Sequence, residues 1–233
     1  MDFFAGETLY FDKPLDWTSF DLVNLFRYKL SRRLNVKKIK VGHAGTLDPK
    51  ATGVLIVCTG KATKRIDEFQ RCSKEYLATL KLGETTPSFD TEKEVDRTYP
   101  TEHITGEMVQ ETLKLFVGEI RQVPPVFSAC KIDGKRAYEL ARKGEAASLK
   151  AKTLLIDELE LLEYALPVLR IRVVCSRGTY IRALARDIGV ALRSGAYLTA
   201  LERTRIGHVT LDMCMKPDRI DDFLTEETTI KTI

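Results

Sequence analysis

Apolar residues recur at helical spacing after Thr18 and Ser19, at Phe20, Val23, Phe26, Leu30 and Leu34, and either hydroxyl is placed to cap the helix that they predict. A glycine-punctuated loop runs from Gly42 to Gly53, followed by a buried strand at about 53–58 and a helix beginning near Ala62. Tyr76, Ala78, Leu80 and Leu82 alternate with Leu77, Thr79 and Lys81, a strand that Gly83 ends. An acidic, polar excursion covers 84–103; Val109, Leu113 and Phe116 then line a helix stopped by Gly118. From Pro124-Pro125 to Lys152 the chain is irregular and basic, with a short helical pattern at Ala137, Leu140 and Ala141, and reads as an arm. Leu169, Ile171, Val173 and Cys175 alternate with Arg170 and Arg172 as a strand, and a turn over 176–179 leads into a helix carrying Ile181, Leu184, Ala185, Ile188 and Leu192. Strands and helices mix without a regular βαβ period or an internal repeat. The expectation is an α+β fold on a mixed, mostly antiparallel sheet flanked by helices and loops. No Pro-, Gly- or Ser-rich linker interrupts it, so one domain over 1–233 is expected, with the arm at about 124–152 inside it.

The 233 residues, 44% of them apolar, can bury one sizeable core or two lobes sharing a sheet. No apolar run nears the roughly 20 residues that cross a bilayer, and the N-terminus lacks the basic start and long apolar stretch of a secretory signal. A cytoplasmic protein with no membrane contact is expected. Cysteines at 58, 72, 130, 175 and 214 form no CxxC pair, and His43, His103 and His208 are scattered. Reduced thiols, no metal and no cofactor are the expectation.

Charge says more than its total of +4. Between Arg27 and Lys74, thirteen lysines and arginines stand against Asp48, Asp67 and Glu68, an excess of ten positive charges. Between Glu84 and Glu111, eight acids stand against Lys93 and Arg97. The basic run over 29–40 holds no acid, which favours a polyanion-binding face over charges spread for solubility.

Chemistry concentrates in Val41-Gly42-His43-Ala44-Gly45-Thr46-Leu47-Asp48-Pro49-Lys50-Ala51-Thr52-Gly53. Its glycines allow close backbone approach and leave His43 and Asp48 as the functional side chains. Taken alone, Asp48 is equally an N-cap for a short helix with Pro49 at its first position.

This segment, with Gly60-Lys61-Ala62-Thr63-Lys64 after it, resembles the signature loop of the TruB family of tRNA pseudouridine-55 synthases. Lys13-Pro14 with Thr18-Ser19, Lys74-Glu75-Tyr76, Pro124-Pro125 with Ser128-Ala129-Lys131, and Ser176-Arg177-Gly178-Thr179-Tyr180-Ile181-Arg182 resemble four further family blocks, in order and over roughly residues 8–212. The resemblance implies the pseudouridine synthase fold and an isomerase acting on the T stem-loop of tRNA. It makes Asp48 the essential carboxylate, with Arg182 beside it to keep it ionised and aimed. Such an enzyme flips its target out of the stack. Tyr76 is then the floor under the flipped base, His43 the plug or stacking partner, and Tyr180 and Leu201 the pocket wall. Each also has a plain reading as a packing or loop residue. Lys13, Lys64, Lys37, Lys38 and Lys40 are expected at RNA phosphates. Asp16 replaces a family glycine, and Asp tolerates the left-handed conformation better than most residues. The acidic tail from Met213 to Ile233 is too short for the RNA-binding PUA domain of many members, so the catalytic domain alone is expected to grip RNA, as a monomer. Two other readings are an RNA-binding or RNA-folding factor without turnover and a catalytic subunit directed by a guide RNA.

Overall fold

The apolar run at 54–58 is buried on both faces of one strand, β3 (Ala51–Thr59). Leu55 and Val57 enter one cluster with Phe11, Phe26 and Leu30, whereas Val54, Ile56 and Cys58 enter another with Ala44, Phe69 and Val209. Neighbouring side chains leave a strand on opposite faces, so a strand covered on both sides has no polar position left. The computed structural model describes residues 1–126, 131–132, 135–136 and 149–229. Most of the arm expected at 124–152, including its pattern at Ala137, Leu140 and Ala141, lies outside the described residues. The chain forms two compact units, Met1–Glu75 with Glu202–Ile233, and Tyr76–Leu201.

In the first unit β1 (Thr8–Lys13) and β2 (Val41–His43) pair antiparallel with β3. The end of β12 (Ala196–Ile206) lies next to β3, and β13 (Val209–Thr210) folds back on it. Helix α1 (Ser19–Arg33) starts at a capping box in which Thr18 and Asp21 satisfy each other's backbone N–H. Its buried stripe is Leu22, Val23, Phe26 and Leu30, each contributing about 1.5–3 kcal/mol. Phe20, expected on that stripe, is 58% exposed. The face centres on Leu22, Phe26 and Leu30, spaced by four, and Phe20 falls about 120° from its centre at Phe26.

The helix expected from Ala62 begins as a 3₁₀ turn (Gly60–Arg65) and becomes α2 (Ile66–Arg71). Lys74, buried, donates to the carbonyls of Phe69, Gln70 and Cys72 and so caps the end of α2. The acidic tail forms α5 (Ile220–Thr229), which sends Ile220 and Leu224 into the core beneath α1 and pairs Asp221 with Lys29 at 2.6 Å. Asp16 adopts φ +63°, the left-handed conformation anticipated for it.

In the second unit β4, which begins at the boundary (Lys74–Leu82), is followed in the sheet by β11 (Val168–Cys175), β10 (Lys152–Ala165) and β7 (Gly118–Gln122). Strands β5 (Glu84–Thr85) and β6 (Arg97–Thr98) make a small hairpin inside the acidic excursion, and β8 (Lys131–Ile132) and β9 (Lys135–Arg136) another. Helices α3 (Gly106–Lys114) and α4 (Ile181–Ala191) bury Val109 and Leu113, and Ile181, Leu184 and Ile188. The pairs β1/β3, β2/β3, β7/β10, β10/β11 and β12/β13 are antiparallel, while isolated bridges Phe11–Met215 and Asp90–Leu198 are parallel. This is the mixed, mostly antiparallel α+β arrangement that the irregular order of strand and helix patterns predicts.

Candidate active site

Asp48 begins no helix. The Ala51 N–H donates to its carbonyl at 3.0 Å, closing a turn that feeds straight into β3. Gly53 takes φ +100°, and a Cβ there would sit 2.3 Å from the carbonyl oxygen of Arg203, so only glycine lets β12 approach the loop's end. At its other side the loop is fixed by Ser19. This buried hydroxyl donates to the Leu47 carbonyl at 3.1 Å and accepts from the Leu47 N–H at 2.8 Å. The residue before Asp48 is thereby tied, on both backbone groups, to the first turn of α1.

Arg203 completes the support. It is 2% exposed; Nε donates to the Val54 carbonyl at 2.8 Å and Nη2 to that of Gly45 at 3.1 Å, so one guanidinium holds both ends of the segment carrying Asp48. Sequence reasoning missed it. In Leu201-Glu202-Arg203-Thr204-Arg205-Ile206 strand alternation puts Arg203 and Arg205 on the same face, and no pattern separates the buried one from its neighbour.

Lys13 corrects an expectation. Assigned to RNA phosphates, it is fully buried, because the alternation of β1 turns Leu9, Phe11 and Lys13 to the same inner face. Its Nζ donates to the carbonyls of Trp17 at 2.6 Å and Pro14 at 2.8 Å, and more weakly to Pro49 at 3.5 Å. It pins the 14–17 segment against the residue that follows Asp48. Burial pushes the Lys13 pKa down to about 8, against the pull of Asp48 and Asp16 in the other direction.

His43 is half-buried at the end of β2, and its enclosed Nδ1 has no hydrogen-bond partner among the described residues. Burial lowers its pKa from the ordinary histidine value; the Gly45 backbone opposes the shift, and the Arg203 charge adds to it. The ring is therefore neutral near pH 7. Lys37, Lys38, Lys40 and Lys64 are exposed, where lysines meant for phosphates have to be.

The remaining expected site residues lie in the second unit. Arg182, on the first turn of α4, is 5% exposed; it lies 3.4 Å from the Asp90 carboxylate and donates to the Ser88 carbonyl at 3.3 Å. Asp90 is as buried as its partner, and sequence reasoning missed it as one of six acids in the stretch 84–103 read as an acidic, polar excursion. Tyr180 caps α4 and is fixed through its backbone. Its N–H donates to Gln122 Oε1 at 2.9 Å, and Gln122 Nε2 returns a bond to its carbonyl at 3.2 Å. Tyr76 is buried on β4, and Leu201 is half-buried on β12. His43, Asp48 and Lys13 are thus gathered around one loop of the first unit, and Arg182 and Tyr180 around the start of α4 in the second. Among the described residues no group of three or more His, Cys, Asp or Glu is placed to hold a metal ion.

The chain is 78% identical to the tRNA pseudouridine synthase B of Parabacteroides distasonis over 226 residues, 97% of this chain and 96% of that one. It is 68% identical to the tRNA pseudouridine synthase B of Phocaeicola vulgatus over 227 residues, 97% of each. Among solved structures, the Cbf5 chain of a Cbf5-Nop10-Gar1 complex superposes with a TM-score of 0.71 at 28% identity over 95% of this chain. The match spans 56% of that longer chain. Residues 31–181 match the model of the TruB family pseudouridylate synthase N-terminal domain, and with these identities the chain belongs to the TruB family.

Proposed function

We propose that this protein isomerises uridine to pseudouridine in tRNA, at position 55 of the T loop, with Asp48 as the essential carboxylate. The observation that carries the reading is the immobilisation of one half-buried aspartate by its neighbours: Ser19 on Leu47, Lys13 on Pro49, and Arg203 across Gly45 and Val54. A loop so fixed, bearing a carboxylate, suits a reaction that requires accurate placement rather than an added reagent. Isomerisation breaks the bond from N1 of the base to C1′ of the sugar, turns the freed base and forms a bond from C5 to C1′. The hydrogen leaves C5, N1 gains one, and atoms balance with no co-reactant. Asp48 serves the sugar carbon, by stabilising its developing positive charge, bonding to it, or moving the proton.

In this reading Arg182, held by Asp90, is the cation that keeps the carboxylate ionised; Tyr76 serves as the floor for the flipped base, Tyr180 and Leu201 as apolar wall, and neutral His43 as the stacking partner where the base left its neighbours. Lys37, Lys38, Lys40 and Lys64 meet phosphates. The enzyme works as a cytoplasmic monomer on an isolated T stem-loop. The test is tritium release from tRNA transcripts carrying 5-tritiated uridine, by purified protein alone. Release that disappears when uridine 55 is replaced by cytidine is the expected result. Release dependent on a guide RNA, or RNA binding without release, overturns it.

A further inference from the structure

We propose that the solvent face of α1 is a base-stacking track for unpaired RNA, beginning at the Asp48 loop and built on Phe20 and Tyr28. The proposal rests on the RNA-isomerase reading and extends it to a surface that reading does not use.

Phe20 and Tyr28 are 58% and 60% exposed, unusual for large aromatic side chains on a helix whose other face is fully packed. They are eight residues apart, about 12 Å along one side of α1. Each ring carries an arginine: the guanidinium carbon of Arg27 lies 5.9 Å from the Phe20 centroid, and that of Arg32 5.7 Å from the Tyr28 centroid. Both arginines are also held by hydrogen bonds. Arg27 donates to Asn24 Oδ1 at 3.0 Å and to the Val41 carbonyl at 3.3 Å, and Arg32 to the Tyr28 hydroxyl at 3.1 Å. Two flat hydrophobic platforms, each with a fixed cation at its side, are the elements that bind single-stranded nucleic acid: bases stack on the rings and the cations accompany the backbone.

Position and charge name the occupant. Ser19 clasps Leu47 and Arg27 holds Val41, so the track starts at the loop bearing Asp48 and is rigidly joined to both of its approaches. Beyond Tyr28 it continues into exposed Arg32, Arg33, Lys37, Lys38 and Lys40. The acid on this face is Asp21, committed to the capping box with Thr18; Asp221 pairs with Lys29 on the side turned to α5. A polyanion with free bases fits such a surface, whereas a protein face of mixed charge leaves most of its positive charge without a counter-ion.

Stacking and charge neutralisation leave different signatures. Removing a ring lowers affinity without changing how many counterions are released, whereas removing lysines flattens the salt dependence. The experiment compares Phe20→Ala/Tyr28→Ala with the wild type for binding a T-arm hairpin and a blunt RNA duplex, each across a salt series. Alanine keeps the helix, and a ring-preserving pair, Phe20→Tyr/Tyr28→Phe, controls for shape. The expected result is a dissociation constant for the hairpin raised roughly tenfold or more by the alanine pair, with the wild-type salt slope, duplex binding unchanged, and wild-type affinity kept by the ring-preserving pair. Undiminished hairpin affinity, equal weakening on both RNAs, or a flattened slope overturns the track. So does a wild-type dimer that the alanine pair dissolves, which assigns the face to a second copy of the chain. A wild-type protein that releases no tritium from the hairpin counts against the isomerase reading; release by the wild type with undiminished binding by the alanine pair counts against the track alone.

Discussion

Arg182 and Asp90 face each other at 3.4 Å, each no more than 5% exposed, a charged pair sealed in the second unit. A buried cation needs its counter-ion far more than an exposed one does, because water cannot take the partner's place. Asp90→Asn keeps shape and removes charge. It is predicted to cost roughly 3 kcal/mol or more of stability, read as a lower urea midpoint, and to lower turnover at least tenfold. Turnover and midpoint equal to those of the wild type would show that Arg182 is positioned without Asp90.

Ser19→Ala removes both bonds to Leu47 and leaves a buried N–H and carbonyl unpaired, at a cost of roughly 1–3 kcal/mol. The residue after them is Asp48, so kcat is expected to fall about tenfold while RNA affinity stays within about threefold. A fall in affinity with unchanged kcat would place Ser19 in RNA docking instead.

Arg203→Lys separates charge from geometry. A lysine keeps the positive charge and one donor group, but it has no planar fork to reach the carbonyls of Gly45 and Val54 together. Single-turnover rate at saturating RNA is predicted to drop about tenfold or more, with salt dependence of binding unchanged. A wild-type rate in this variant would mean that charge near the loop suffices.

The pattern of sequence legibility follows from these contacts. The two-sided burial of β3, the alternation of β4 and β11, and the stripe of α4 were readable because periodicity reports burial directly. Strand β10 was not: its burial breaks period two, with register shifts between Ile156 and Glu158 and between Leu161 and Glu163, and acids occupy its exposed positions. Asp48 and Arg182 stood out by resemblance. Asp90, Ser19's role and Arg203 did not, because a buried polar residue is defined by partners distant in sequence, 94 residues away for Arg182 and Ser88 and 149 for Arg203 and Val54. Lys13 misled for the same reason: its carbonyl partners, and not its charge, decide where it lies.

His43 supplies a pH signature. Its pKa is lowered in the folded state, chiefly by burial, so above the ordinary histidine value of about 6.5 both folded and unfolded forms are neutral and the group adds no pH dependence. As pH falls below that value the unfolded chain takes a proton that the folded chain refuses, and stability declines until the folded pKa is passed. His43→Gln should lessen the loss in urea midpoint between pH 7.5 and pH 5.5. An equal or larger loss in the variant would show that other groups set the slope.

The central claim is that Asp48 performs the chemistry and that the rest of the loop aims it. The most direct measurement is tritium release from 5-tritiated uridine in a T-arm hairpin by Asp48→Asn, beside RNA affinity of the same protein. Asparagine keeps the side chain's size and removes its charge and nucleophile. The account predicts release reduced below detection with affinity within a few-fold of the wild type. Release within tenfold of the wild-type rate would contradict it.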